Sequence, residues 1–324
     1  KPDLLFVGTQ FGLHFTTDGG KEWIKFTNGL PTTTVMDIEI QKRENDLVVS
    51  TFGRGVYIMD DYTPLRNLTK ENLQKTAVIF PVKDALMYVE ANPFGFRGKA
   101  FQGAGFFTSP NPDLGATFTY FIKDEIKTLK QKRRDAEKEK QKKGEDIEYP
   151  SYNTIEKETD QPEPYLLFVI TDEQGNMIRK IKTGITKGLN RLTWDMRYLP
   201  FTAVSLTPFD DTYAWDEPDK GYMVLPGTYK VALQKFEDGK FTELSAPQTF
   251  KCVPLNNNAL AAADKTELND FNKKVAELTR AMSGAEGYMK DILAKLPYLK
   301  QAILDASNVP PDTYEKFQLI RTKF

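Results

Sequence analysis

Asp210, Asp211, Asp216, Glu217 and Asp219 crowd into one short stretch, and carboxylate oxygens at that density are what a hard cation such as calcium binds. Their spacing does not follow the EF-hand loop. The expectation is a solvated acidic loop in which Asp210, Asp211, Asp216 and Asp219 are the candidate ligands, calcium being the one cofactor left open. Asp60 and Asp61 are adjacent, so in a strand their side chains would point to opposite faces and could not act on one bond; they read as a strand-end turn. Asp195 and Arg197 stand two apart beside Trp194, the spacing of an ion pair on one face of a strand. Glycoside hydrolysis needs two carboxylates about 5 to 10 Å apart across a cleft, and no pair in the sequence announces that geometry. The single histidine, His14, and the single cysteine, Cys252, exclude an internal disulfide, a thiolate cluster and zinc sites built from several His or Cys ligands. His14 lies in an alternating run and reads as structural. No catalytic residue is assigned.

The most informative pattern is architectural. In the run from Phe15 to Trp23, the residues Thr17, Asp18, Gly19, Gly20 and Trp23 have the composition of a hairpin clasp. A carboxylate at the mouth of the turn accepts backbone N–H groups, glycine takes the positive φ, and the indole tucks under the turn.

Around this clasp the chain alternates as antiparallel β: LLFVGT, GLHFTT, KEWIKF, VMDIEIQ, DLVVSTF and GVYIMD are six short strands separated by turn residues. Two pieces match each other, VGTQFGLHF at 7–15 and VSTFGRGVYI at 49–58, an offset typical of a propeller blade. AVIFPVKDALMYV predicts a strand pair around Pro81, followed by a Gly-rich aromatic segment. Within that segment Phe94, Phe96, Phe101, Phe106 and Phe107 could stack on carbohydrate, although packing against another surface is the plainer reading. ATFTYFI at 116–122 is a strand, broken off by a charged run with ten basic and eight acidic residues over 123–148. That mixture makes a solvated helical arm ending near Gly144 and a poor funnel for nucleic acid. Strands resume from YLLFVIT to FTELSAPQTFKCV. Near the end, Leu268, Phe271, Val275, Leu278 and Met282 fall at alternating steps of three and four, an amphipathic helix. A second helix interrupted at Pro297 and a third capped by Asp312 are predicted after it.

The run from Leu4 to Arg66, with VGTQFGLHFTTDGGKEW and QKRENDLVVSTFGRGVYIMDDYTPLR, resembles the closing blades of sortilin-type, bacterial-neuraminidase-repeat propellers, in which the clasp is called an Asp-box. These occur in large secreted bacterial proteins of the glycosyl hydrolase-like kind, where an Ig-like module and helices follow; NRLTWDMRY and LPGTYKVAL are similar to that module. The resemblance implies a mainly β chain: the last two propeller blades over 1–62, a linker and packing segment over 63–115, an Ig-like β-sandwich over 116–258 with a helical insertion at 123–160, and a helical region over 259–324. The second blade lacks a DGG turn and a tryptophan, so its outer strand is expected from the N-terminal end of the propeller, closing the ring. The sequence opens on a strand-like run without an initiator methionine and is read as the C-terminal portion of a longer protein.

Lys and Arg total 44 against 45 Asp and Glu, a formal charge of −1, which marks the chain for neither nucleic acid nor an anionic membrane. No run reaches the ~18 apolar residues of a membrane span. The expectation is a non-catalytic part of a secreted or cell-surface protein, at the outer-membrane exterior or in the periplasm, that binds other proteins within a surface complex. The alternative is part of a propeller glycoside hydrolase whose carboxylates lie largely elsewhere, with carbohydrate as ligand.

Overall fold

The computed structural model describes residues 3–90, 105, 107, 109–213, 215–255, 264–310 and 312–322. The chain is mainly β, with several sheets and a C-terminal helical part, and divides into two compact units: 1–88 with 107–196 and 226–256, and 89–106 with 197–225 and 257–324. Phe94, Phe96, Phe101 and Phe106 lie outside the described residues; Phe107 is exposed.

The first unit opens with two three-stranded antiparallel sheets, β1 (Leu5–Thr9), β2 (Gly12–Thr16) and β3 (Ile24–Lys25), then β4 (Val35–Gln41), β5 (Asp46–Thr51) and β6 (Gly55–Met59). Strand alternation gives each sheet an inner face. Leu13 and Phe15 from one and Leu47 and Val49 from the other share a buried cluster, closed by Tyr62 and by Leu65 from a 3-10 turn, Thr63–Asn67. A Cβ on Gly8 would lie 2.6 Å from the Val35 side chain, so only glycine lets β4 approach β1 this closely.

A short helix, α1 (Lys70–Gln74), capped by the Thr69 hydroxyl, leads to β7 (Ala77–Ile79) and β8 (Ala85–Met87). These do not pair around Pro81 as the sequence suggested. Pro81 cannot donate a ladder hydrogen bond, and the two strands join different sheets. β7 pairs with β9 (Ala116–Ile122), while β8 runs parallel to the last strand of a five-stranded sheet.

The charged arm contains two helices where one was predicted, α2 (Leu129–Lys143), ended by Gly144 at φ 72°, and α3 (Tyr152–Asp160), begun by Ser151. Arg133 ties them with a bidentate pair to Glu158, 2.6 and 2.9 Å. After the arm come β10 (Tyr165–Asp172), β11 (Met177–Thr183), β12 (Gly188–Trp194), β13 (Gly227–Glu237) and β14 (Lys240–Pro254). They complete a sheet of order β12-β9-β7 and one of order β11-β10-β13-β14-β8. An aromatic cluster joins the two sheets: Phe118 of β9 stacks on Phe168 of β10 at 5.9 Å and meets Phe250 of β14 edge-on at 5.5 Å, with Trp194 against Tyr229 and Phe250. Gly115 has φ 147°, and a Cβ there would stand 2.0 Å from the Trp194 carbonyl oxygen.

In the second unit α4 (Lys265–Asp305) runs unbroken through Pro297, where the sequence predicted an interruption. A proline removes one hydrogen bond, and here the neighbouring Leu296 is buried, which holds the turn in place. α5 (Thr313–Arg321) packs on α4 and buries Phe317. Asp312 makes no side-chain cap to α5. Its carboxylate instead reaches Lys316 Nζ at 2.6 Å.

Candidate functional site

The clasp between β2 and β3 is organised by two oxygens. Asp18 Oδ1 accepts the backbone N–H of Lys21 at 3.0 Å and of Glu22 at 3.1 Å, and the Thr16 hydroxyl at 2.7 Å. Thr16 Oγ1 in turn accepts from the Gly20 N–H at 3.1 Å. Those donors, first the Glu22 N–H and then the Thr16 hydroxyl, hold the Asp18 carboxyl below its ordinary range. Gly19 and Gly20 carry φ of 76° and 98°, and Trp23 lies 3.8 Å from where a Gly20 Cβ would be, its indole 44% exposed. The clasp hydroxyl is Thr16, two positions before the aspartate, and not the Thr17 that the sequence pattern pointed to. Three donors of its own turn converge on Asp18 Oδ1, so this carboxylate acts as a staple for the hairpin.

The carboxylates with chemical potential sit where β6 ends. Asp60 and Asp61 lie beyond the strand, and Asp61 takes φ 42°, so strand alternation does not govern them. Asp61 donates its N–H to Asp46 Oδ1 at 3.0 Å, its own Oδ1 accepts from Thr63 N at 3.1 Å, and its carbonyl accepts from Arg191 Nη2 at 2.7 Å. Burial, with the Asp46 charge adding to it, pushes the Asp60 carboxyl up despite the opposing Arg191. Nearby, Lys83 pairs with Glu44, whose carboxyl is lowered first by that hydrogen bond. An upward shift beside a second carboxylate is the direction a general acid needs. Asp46, Arg191 and Lys83 carried no signal in the sequence, because the fold brings them to Asp60 from distant positions.

No family model matches the chain, and no curated protein does. Among solved structures one match is the extracellular domain of the hybrid two component system BT3049 from B. thetaiotaomicron, at 10% identity and a TM-score of 0.18, covering 78% of this chain and 30% of that one. This chain therefore spans under a third of that structure's length. A TM-score of that size does not establish a shared fold.

The other sequence candidates disperse. Among the described residues no three His, Cys, Asp or Glu side chains are placed to hold one metal ion. Asp210 accepts from the Thr212 N–H at 3.0 Å and hydroxyl at 2.5 Å, an Asx turn. Asp219 accepts from Thr202 N and Gly221 N at 2.7 and 3.0 Å, tying down its own loop. Asp211 is exposed, and Asp216 lies in the same irregular stretch. The strand that would have put Asp195 and Arg197 on one face stops at Trp194, and Met196 takes φ 55°; Arg197 Nη1 donates to the Gly221 carbonyl at 2.8 Å. Cys252 is buried, its thiol pushed up to about 12 chiefly by loss of water, which makes it inert. No described helix is long and apolar enough to cross a membrane.

Proposed function

We infer that the β1–β6 region is a pair of successive propeller blades and that this chain is a non-catalytic, protein-binding scaffold part of a secreted or cell-surface propeller protein. The observation that carries the reading is an equivalence between buried and exposed faces. The hairpins β1–β2 and β5–β6 close on equivalent pairs, across loops of two and three residues. Thr9 pairs with Gly12 and Thr51 with Gly55, and in each the threonine hydroxyl donates to the glycine carbonyl, at 2.9 and 2.7 Å. Counting back from that shared mark, Leu5 corresponds to Leu47, Val7 to Val49, Leu13 to Val56 and Phe15 to Ile58. Leu47 and Val49 are 0% and 3% exposed while Leu5 and Val7 are 42% and 41%; Leu13 and Phe15 are 2% and 7% while Val56 and Ile58 are 62% and 61%.

The face that one hairpin buries is thus the face its counterpart exposes. Head-to-tail contacts of this kind are not self-limiting and repeat until a ring closes, which is how propellers are built. The outward face of β1–β3 therefore fits a blade like β4–β6, and that of β4–β6 fits one like β1–β3. His14, paired with Val7 on the outward side, has a buried Nδ1 without a hydrogen-bond partner, a polar atom a neighbouring blade could satisfy. Secretion and surface display rest on the sequence resemblance alone, as does an Ig-like assignment for the aromatic-cored sheets.

The test is the intact protein. Electron microscopy should place Val7 and Ile58 each against another sheet in a closed ring, and either residue facing water would overturn the blade assignment. The glycoside hydrolase alternative is favoured by one observation, the raised Asp60 carboxyl beside Asp46. Turnover of any polysaccharide by the intact protein, lost in Asp60→Asn, would decide for the enzyme.

A further inference from the structure

The helix α4 carries an apolar seam that is largely exposed from Leu268 to Met289. From Leu268 the alternation of three and four continues through Met282 to Ala285, Met289 and Ile292, without a polar residue at a seam position, the pattern of a coiled-coil strand. Another side of the helix is engaged inside its own unit. Arg280 Nη1 donates to the Pro200 carbonyl at 2.8 Å, Ser283 Oγ accepts from Ala203 N at 2.9 Å, and Ala276 is fully buried. α5 packs on α4, and Leu296 of α4 is buried. Between these, Phe271, Leu278 and Met282 remain 62%, 63% and 66% exposed. A helix containing Gly284, Gly287 and Pro297 has weakened intrinsic stability, so a covered seam is what such a helix needs to persist.

We propose that this seam is a homodimer interface, in which α4 of a second copy lies antiparallel with Leu278 opposite Met282 of the second copy, Phe271 opposite its Met289 and Leu268 opposite its Ile292. The charges beside the seam select this arrangement. It brings Glu267 to Lys295 of the second copy, twice by symmetry, and sets Lys274 beside Tyr288 of the second copy, with no like pair in contact. It also places the small Ala281 against its own counterpart on the two-fold axis, where helices come closest. A parallel pairing in register instead puts Lys295 against Lys300. An antiparallel pairing over the whole helix puts Lys274 against Lys295 and needs Leu296, which is already buried. Like charges at flanking positions discriminate strongly between coiled-coil partners. The overlap runs roughly 37 Å along the helix, a length that fits an interface of about 1,000 Å2.

Sedimentation equilibrium and light scattering on the 324-residue chain test this. The expected species has twice the 36.9 kDa mass and dissociates on dilution. Leu278→Asp, at an exposed position, should keep the helical circular dichroism and raise the dissociation constant at least about tenfold; Met282→Glu repeats the test independently. Glu267→Lys and Lys295→Glu should each weaken the dimer about three- to tenfold, and the double variant should return to within about twofold of the parent. A wild-type chain that stays monomeric at about 100 µM, or a dimer that Leu278→Asp and Met282→Glu leave unchanged, overturns the interface. A double variant no tighter than the single ones overturns the antiparallel register.

Discussion

The aromatic-cored sheets β7–β14 and the stacked hairpins β1–β6 belong to one compact unit, yet they satisfy their apolar residues in opposite ways. In the first, Phe118, Phe168, Trp194 and Phe250 are all within 2% of full burial, and the sheets that contribute them complete each other. In the second, a core of Leu13, Phe15, Leu47 and Val49 is shared between two sheets whose outer faces repeat the same apolar positions in the open. One region folds to a closed set of contacts. The other leaves apolar residues exposed at positions whose counterparts in the neighbouring hairpin are buried.

Substitutions separate the two regimes. Phe118→Ala should destabilise the chain by about 3–5 kcal/mol, the cost of a large cavity in a close-packed core, measured by urea denaturation. Leu13→Ala should cost about 2–4 kcal/mol, while Val56→Ala at the corresponding position should stay under about 0.5 kcal/mol in this chain. In the intact protein the second of these should approach the first, if a blade covers Val56. Equal effects already in the isolated chain would remove the distinction between a buried face and an exposed counterpart.

The sequence announced what local chemistry decides. The clasp, the six strands, the Thr-to-Gly hairpin repeat and the heptad spacing of α4 all follow from turn residues and periodicity. It did not announce what long-range packing decides. β7 and β8 are neighbours in sequence, which suggests a pair, but each finds a longer strand in a different sheet, and three-residue strands have no register of their own to insist on. Ser151 begins a helix hidden in a polar run, since the Arg133 to Glu158 pair that holds α3 against α2 leaves no periodic apolar trace. At the candidate site Asp60 was visible but Asp46, Lys83 and Arg191 were not, because only the fold sets them beside it. The acidic loop shows the converse: carboxylates dense in sequence do not converge in space, Asp210 closing an Asx turn and Asp219 tying down its own loop.

The Cys252 thiol reports on the closed region. Cys252 pairs with Gly227 and Ala85 in the five-stranded sheet, and its thiol lies at about 12 in the folded chain against 9.0 ordinarily. Because the folded form holds the proton more tightly, its contribution to stability is complete below pH 9. It is lost as pH rises from there towards 12, at no more than about 1.4 kcal/mol per pH unit. Thiol reagents at pH 8 should therefore label the unfolded chain and spare the native one, and rapid native labelling would show that the aromatic-cored sheets open.

Asp60, at the edge of the hairpin pair, carries a small and discriminating effect. Its carboxyl is raised by burial and by Asp46, so the ionised form is the one the fold disfavours. The protonated form contributes stability at low pH, and that contribution is lost as pH rises through the folded-state value. Asp60→Asn removes the charge without changing the shape, so the variant should be more stable than the parent at pH 7, by no more than about 1 kcal/mol. The gap should close as pH falls and Asp60 takes up its proton. Paired thermal melts at pH 7 and pH 4 measure it. A variant less stable than the parent at pH 7 would mean that the ionised carboxylate is held by Arg191, making the cluster a structural ion pair rather than a poised acid. A stable variant keeps the proton-donor reading of this edge open to the activity assay on the intact protein, and separates an edge built for chemistry from one built only to join the hairpins to the sheets that follow.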